Sequence, residues 1–569
     1  MLKKVISLTL CFLMIIPVLV GCSGYDPDED PGEIINIYLG EEVYDFDPAF
    51  AYQNKNALAI SSLMFIPLFS LDEDGDLVKE LVDEYEITDD ANKEIYRITL
   101  TLNETMWSDG NLVSAHDIVY AWKRILNPNT ASDAAALLYE VRNAYDAKNG
   151  DCSIDDIGVY AVKNDTLQID FDAPIDYEAF LYNLASPCLV PLRENIVGKN
   201  VDWSKRSATT CCSGPFILRS VEYGKSLTLE RNGYYFRDTK KDSIKKYVTP
   251  YQLVFDFTKD PATQVAELKD GNLNFLGNIA VSERADNKKN AEVVSVPSTT
   301  ALYFNLNNTL FSDVNVRKAL SLAIDRDAIA EKLVFADAAT ALVPAGIFEA
   351  DDADDDFATV DYLETGAKLD EAKNLLKVAG IMASTSTITL TIRENDENNA
   401  IAEIVKAAWE ELGFKVKIEA LSFSQDTDTI TKEDTVIFYD DAYLEAIQAA
   451  DFEVALVEVN ALSTNAFHIL APYAVGFSGQ KMIYSVDSFT TPTHITGYSN
   501  EEYNELIQKA FEEKNIKKRS EILRDAEKLL MEELPVAPLV SSKVAYLDGT
   551  NDTEVDYFGF FNFTESEID

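Results

Sequence analysis

The sequence predicts a mixed α/β fold, on three observations. Alternating apolar–polar runs of strand type are interleaved with helices of 3.6-residue periodicity along the chain. Hydrophobic residues make up 47% of the 569 residues and aromatics 11%, enough to fill packed cores. No internal repeat is visible, so the length implies two to four domains or one large ligand-binding body.

Charge and composition exclude some functions early. With 97 Asp+Glu against 49 Lys+Arg the net charge is −48. Phosphate backbones and anionic lipid surfaces need basic patches, so a nucleic-acid enzyme is a poor fit. Three histidines are too few for catalysis built on several of them.

The elements follow in chain order. Lys3 and Lys4 precede an apolar run, Val5 to Val20, that ends in Leu19-Val20-Gly21-Cys22. A positive start, a short apolar stretch and small residues form a secretory signal, 1–21, too short for a membrane span. Leu-Val-Gly-Cys is similar to the bacterial lipobox, which implies that Cys22 is lipidated and heads the mature chain. Acyl chains would then hold the protein at a membrane. Loss of Lys3 and Lys4 with the signal takes the charge from −48 to −50. Residues 22–32, rich in acids, Pro and Gly, read as a tether.

Ile35–Leu39 reads as a strand and Ala57–Leu71 as a helix. Asp72-Glu73-Asp74-Gly75-Asp76 reads as a hairpin turn between Leu71 and Leu77, since a calcium loop would need its Gly and Glu in a different register. Tyr96–Leu102 alternates as a strand, and Ser114 with Asp117 forms a capping box for the helix that follows. Later strands are expected at 227–230, 251–257, 301–306, 388–392, 416–418 and 451–459. Helices are expected at 261–270, 314–334, 370–379, 400–412 and 500–533. Cys152, Cys188, Cys211 and Cys212 allow three disulfide pairings or buried thiols, and no CxxC spacing occurs.

Several ordered segments resemble the oligopeptide- and dipeptide-type solute-binding proteins of ABC importers, extracellular solute-binding family 5. Trp107-Ser108-Asp109-Gly110 with Ser114–Trp122 carries the most recognisable stretch, and Asn127–Ser132 resembles the oligopeptide branch. Gly214-Pro215-Phe216 with Leu229–Asn232, Val316–Leu320 with Ala323–Arg326, and Pro535–Leu539 continue the series. The resemblance implies a bilobed periplasmic-binding-protein-like fold, two mixed-sheet lobes joined by a hinge with an inserted subdomain. Lobe one would take 33–70, 191–301 and 544–569, the subdomain 71–190, and lobe two 302–543. Trp107, Trp122 and Trp409 are expected in cores, and Arg317, Asp325 and Arg326 in one ion-pair and helix-cap network.

One position departs from the pattern. The family carries roughly Gly-Trp-x-Ala-Asp-Tyr in lobe two, and its Asp binds the ligand's amino terminus. Here the run is Glu458-Val459-Asn460-Ala461-Leu462-Ser463, with Leu462 where the carboxylate belongs. Removing one partner of a buried charge pair costs about 3–5 kcal/mol, or two to more than three decades of affinity. A nearby carboxylate (Glu458, Asp440 or Asp441) takes over, or the ligand lacks a free amine, or binding has shifted to a partner protein. The resemblance also puts Arg393, Asn398 and Asn460 near the pocket. Arg393 would meet a ligand carboxylate or pair with Glu394 or Asp396. Glu42-Val43-Tyr44 matches the segment that runs alongside a bound peptide, so Glu42 and Tyr44 are candidate lining residues.

No metal or cofactor is expected. The 351–356 acidic run reads as a solvated loop, and His468 and His494 lack ligand spacing. No GxSxG or HExxH motif supports an enzyme. The expected function is a monomeric, lipid-anchored extracytoplasmic receptor that delivers peptides to an ABC permease in the cytoplasmic membrane. The alternative is a surface sensing or interaction protein that kept the fold and binds a non-peptide or N-blocked ligand.

Overall fold

Two 13-residue strands, Glu292–Phe304 and Val536–Asp548, run through both halves of the molecule and pair with each other antiparallel. They form the middle of an eleven-stranded sheet in the computed structural model, which describes residues 32–200, 202–235, 244–348, 356–426, 438–481, 483–484, 489–490 and 492–568. On one side lie Phe275–Leu276, Ile34–Tyr38, Gln252–Asp256, Ser226–Arg231 and Phe216–Glu222. On the other lie Val454–Asn460, Thr387–Arg393 and Lys415–Leu421, while Ala336–Ala338 pairs with Val536–Asp548. Parallel and antiparallel pairs mix in both halves.

The ladder between the two long strands changes register between Ser295 and Thr299, across Val296-Pro297-Ser298. Proline has no N–H to give to a ladder, so the pairing must break there. Glu292–Ser295 faces Lys543–Tyr546 in one half, and Thr299–Tyr303 faces Val536–Ser541 in the other.

A separate four-stranded antiparallel sheet within 71–190 has the order Val82–Asp90, Ile95–Leu102, Thr166–Asp170, Val159–Lys163. Its helix Ala115–Ile125 starts at the expected N-cap, where Asp117 accepts the Ser114 backbone N–H at 2.9 Å. The expected Leu71–Leu77 hairpin pairs those two residues. Trp107, Trp122 and Trp409 are fully buried, and their indole N–H groups donate to Asp117, Leu189 O and Leu320 O.

Some expectations need correction. The 57–71 helix spans Lys55–Met64, and Phe69–Leu71 is already strand, because Pro67 interrupts the periodicity. The 314–334 and 500–533 helices are each two, restarted at N-caps Asp325 and Asn515. Asp325 does cap a helix, but the guanidinium groups of Arg317 and Arg326 go elsewhere. Arg317 donates to the carbonyls of Phe311, Leu534 and Glu533, and Arg326 to Pro538 O (2.8 Å) and Ser321 Oγ (2.8 Å). Carbonyls at the end of the helix Ile516–Glu533, in the loop before Val314 and in the strand Val536–Asp548 take up these donors, which leaves no common ion-pair network of Arg317, Asp325 and Arg326 among the described residues. Cys152, Cys188, Cys211 and Cys212 are free thiols.

The second half has its own core around Leu302, Leu320, Leu390, Trp409 and Leu539. A larger core joins the first half and the four-stranded sheet to residues 466–477 and the helices Glu501–Glu512 and Ile516–Glu533. The signal and tether through Pro31, including Cys22, and Asp351–Asp355 lie outside the described residues.

Candidate functional site

A cavity of about 560 Å3 opens between the two halves. Its floor is the sheet itself, through Ser542–Ala545 and Leu456–Asn460 of the two neighbouring ladders. Tyr38–Glu42 supplies a wall from the first half, and Arg393–Asn398 one from the second.

The second-half wall is where a strand ends and a long helix begins. Thr387–Arg393 delivers Arg393, and Asn395 caps the 16-residue helix Asp396–Glu411 by accepting the Asn398 N–H at 2.7 Å. Asn398 Nδ2 in turn donates to Arg393 O at 3.1 Å. The positive end of that helix therefore faces the cavity beside a guanidinium. Arg393 is 6% exposed and stacks 4.7 Å over Tyr443. Its Nη1 donates to Asp441 at 2.7 Å, so it pairs with neither Glu394 nor Asp396; the Asp426-side hairpin brings Asp441 closer than either neighbour in sequence. Nη2 is buried without a partner among the described residues. Across from it, burial pushes Glu41 up to about 7, against the pull of Arg393.

The other candidates fall as follows. Glu42, Arg393, Asn398, Glu458, Asn460 and Leu462 all line the cavity; Tyr44 does not. The Tyr44 ring is buried against Tyr223 and Phe423, and its hydroxyl donates to Glu42 and accepts from Gly224 N at 2.7 Å. Glu458 accepts from Ser298 Oγ at 3.2 Å and stands 4.0 Å from Lys55. Asn460 Nδ2 reaches Tyr52 O at 3.4 Å, crossing between the halves. Asp440 pairs with Lys205 at 3.4 Å, and neither it nor Asp441 lines the cavity.

Leu462 is 4% exposed, and its backbone N–H donates to His468 Nε2 at 2.8 Å. That bond fixes the proton of the neutral ring on Nδ1, which has no partner among the described residues. Burial holds both His468 and His494 at about 3, so neither imidazole is charged at neutral pH. Both line the cavity, with Tyr303 and Tyr473, whose hydroxyls are 3.0 Å apart.

Sequence reasoning missed Glu41, although it adjoins Glu42 in the same loop. It also missed Tyr52 and Asp133, which line the cavity from segments with no local sign of a site.

A mixed sheet shared by two halves, with an open cavity of mixed polar and apolar lining across the join, is an arrangement suited to holding a solute between two lobes. The comparisons give the protein's family. The model for the middle region of bacterial extracellular solute-binding proteins, family 5, matches residues 76–481, and the chain belongs to that family of exported proteins. The oligopeptide-binding protein OppA of Bacillus subtilis is 25% identical over 94% of this chain and 93% of its own. The dipeptide-binding protein DppE of the same organism is 26% identical over 90% of this chain and 88% of its own. The solved structure of Listeria monocytogenes OppA bound to peptide superimposes with a TM-score of 0.76 at 22% identity, covering 95% of this chain and 99% of that one. The bilobed fold is thereby shared. No helix among the described residues is long and apolar enough to cross a membrane.

Proposed function

We propose that this protein captures peptides outside the cytoplasmic membrane and hands them to an ABC permease, held to the membrane by lipid on Cys22. The single observation that carries the reading is the cavity of about 560 Å3 walled by both halves, within the roughly 300–1,000 Å3 typical of small-molecule sites. The names of the relatives, oligopeptide- and dipeptide-binding proteins, point to the same solute class. Arg393 Nη2 and the N-terminus of Asp396–Glu411 suit the ligand's carboxylate, since charge-assisted hydrogen bonds are the strong ones. Glu42, Asn398, Glu458, Asn460 and Leu462 complete the lining, while Tyr44 supports Glu42 from behind.

Closure follows from the same geometry. The lobes turn about the register break at 296–298 and Ser542 opposite it, close to the expected boundaries between 33–70, 191–301 and 544–569 on one side and 302–543 on the other. Ligand that touches both walls favours the closed state by its differential affinity.

Native mass spectrometry of gently purified protein tests the reading: a population of short peptides is expected on the intact chain. Peptide at about 100 times Kd should stabilise the fold by about 2.7 kcal/mol. A chain that carries and binds no peptide would sink the proposal. For the anchor, a Cys22→Ala variant should leave the membrane fraction for the medium.

A second reading is favoured by one residue. Leu462 removes a carboxylate that the family pattern would use for a free amine, which suits an N-blocked or non-peptide solute, or a sensing role without import. N-acetylated peptides binding as well as free ones would support it.

A further inference from the structure

The cavity contains carboxylates, and nearly all of them are already engaged. Glu397 pairs with Arg284 at 2.7 Å, and Asp396 accepts the Val281 N–H at 2.6 Å. Glu42 is bonded by Tyr44, Glu41 faces Arg393, and Glu458 has Ser298 and Lys55. Glu394 is exposed. What sets Asp133 apart is its place: it lines the cavity from the 71–190 segment and, unlike Glu41, faces no guanidinium, although like Glu41, Glu42 and Asp396 it has no Lys, Arg or His within ion-pair distance among the described residues. Its contacts are neutral: Gln480 Nε2 donates to its carboxylate at 3.3 Å, and its backbone N–H donates to the Tyr52 hydroxyl at 2.9 Å. The nearest cation, Lys148, donates instead to the carbonyls of Ile125 and Thr130.

Asp133 also sits at the Leu462 end of the cavity. It opens the short 3-10 helix Asp133–Leu138, which packs against Phe467–Leu470, the helix that holds His468 on the Leu462 N–H. Asn183 ties the two segments together: its Nδ2 donates to Leu137 O, while its Oδ1 accepts from Ser463 Oγ (2.8 Å) and Asn465 Nδ2 (2.7 Å). Tyr52 forms a second link, from Asn460 through its carbonyl to Asp133 through its hydroxyl.

We propose that Asp133 is the counter-ion for the ammonium group of the bound solute, supplying from the inserted subdomain the charge that Leu462 does not. This deepens the peptide reading above and rests on it. A desolvated carboxylate gains most from a cation that arrives with its own hydrogen-bond donors. An ammonium brings three, and the neutral lining of Tyr52, Tyr303 and Tyr473 adds no competing charge. Burial first, opposed by Lys148, pushes Asp133 up to about 6, which is the state of a carboxylate lacking its partner.

The test uses the full protein and a synthetic pentapeptide pool free of Lys and Arg, offered in three forms. One has free amino termini, one is N-acetylated, and one is N-acetylated with a single internal lysine. Wild type is expected to retain the free form at least about tenfold better than the acetylated one. Asp133→Asn should retain both at the acetylated level. The lysine form tells whether a side-chain ammonium serves as well as a terminal one: retention like the free form assigns the site to any ammonium, and retention like the acetylated form assigns it to the terminus. Adding Leu462→Asp to Asp133→Asn should restore the preference, which separates lost charge from lost folding. A wild-type preference kept in Asp133→Asn overturns the proposal, as does wild type retaining the free and acetylated forms alike. In that last case peptide capture still stands. Wild type retaining none of the three forms overturns both readings.

Discussion

Arg326 shows what a charge is for when it has no charged partner. It is 1% exposed, burial lowers it to about 10, and its hydrogen bonds go to Pro538 O, to Glu364 O and to Ser321 at two atoms. It joins a helix N-terminus to a strand of the central sheet. Arg326→Met should cost about 3 kcal/mol, because those buried acceptors would be left unpaired. Arg326→Lys should lose nearly as much, since an ammonium cannot reproduce the planar fork. Urea denaturation checks both; a loss below about 1 kcal/mol would mean that the carbonyls find other donors. At this scale the cavity was partly legible. Arg393, Asn398, Glu458, Asn460 and Leu462 sit in segments whose pattern places them, and all line the cavity. Tyr44 shows the limit: next to Glu42 in the same loop, it turns away because its ring has Tyr223 and Phe423 to bury against. Asp133 carries no local sign, since packing between distant segments brings it to the cavity.

Elements were read well where period and cap agreed. Ser114 with Asp117 announced a helix start, and the Asp-Gly turn announced a hairpin. The two merged helices failed for a physical reason. Asp325 and Asn515 interrupt the backbone, yet the apolar faces on either side pack into the same core, so the period runs across the break. The approach of the Asp133 segment to its neighbour depends on a glycine. Gly479 has φ +65°, its carbonyl accepts the Ser132 N–H at 3.0 Å, and an added Cβ would meet Asp133 Cα at 2.8 Å. Gly271 also has positive φ (+74°), but open space surrounds it. Gly271→Ala should therefore cost only the backbone term, about 1 kcal/mol. Gly479→Ala should cost about 1–3 kcal/mol more, because rigid backbone must shift, and it should weaken retention of peptides with free amino termini. Equal losses for the two variants, measured by denaturant unfolding, would show that the close approach is not tight.

For the whole molecule, the excess of acid bears on how stability varies with pH. Burial pushes Glu41, Glu527 and Asp556 up to about 7 and Asp133 to about 6, while the same burial holds His468 and His494 at about 3. A carboxyl with a raised folded pKa binds its proton in the folded chain before the unfolded chain does. Its contribution is fully present below the unfolded pKa and is lost as pH rises through the folded one. The depressed histidines act in the opposite sense, losing stability as pH falls below about 6.5. Between pH 7 and 5 the four carboxyls outnumber the two imidazoles. Lys148, lowered to about 7, opposes them only above that pH. Protonation also relieves self-repulsion in a chain of net charge −48. The ligand-free protein should therefore melt at a higher temperature at pH 5.5 than at pH 7.5; below about pH 4.5 these carboxyls, protonated in both states, add nothing further, while the histidines go on lowering stability down to about pH 3. Scanning fluorimetry across this range decides it, and a melting temperature that falls steadily from pH 7.5 to 5.5 would show that the histidines dominate. Saturating peptide should flatten the acidic gain, because a bound ammonium keeps Asp133 ionised and a closed cleft fixes Glu41 against Arg393.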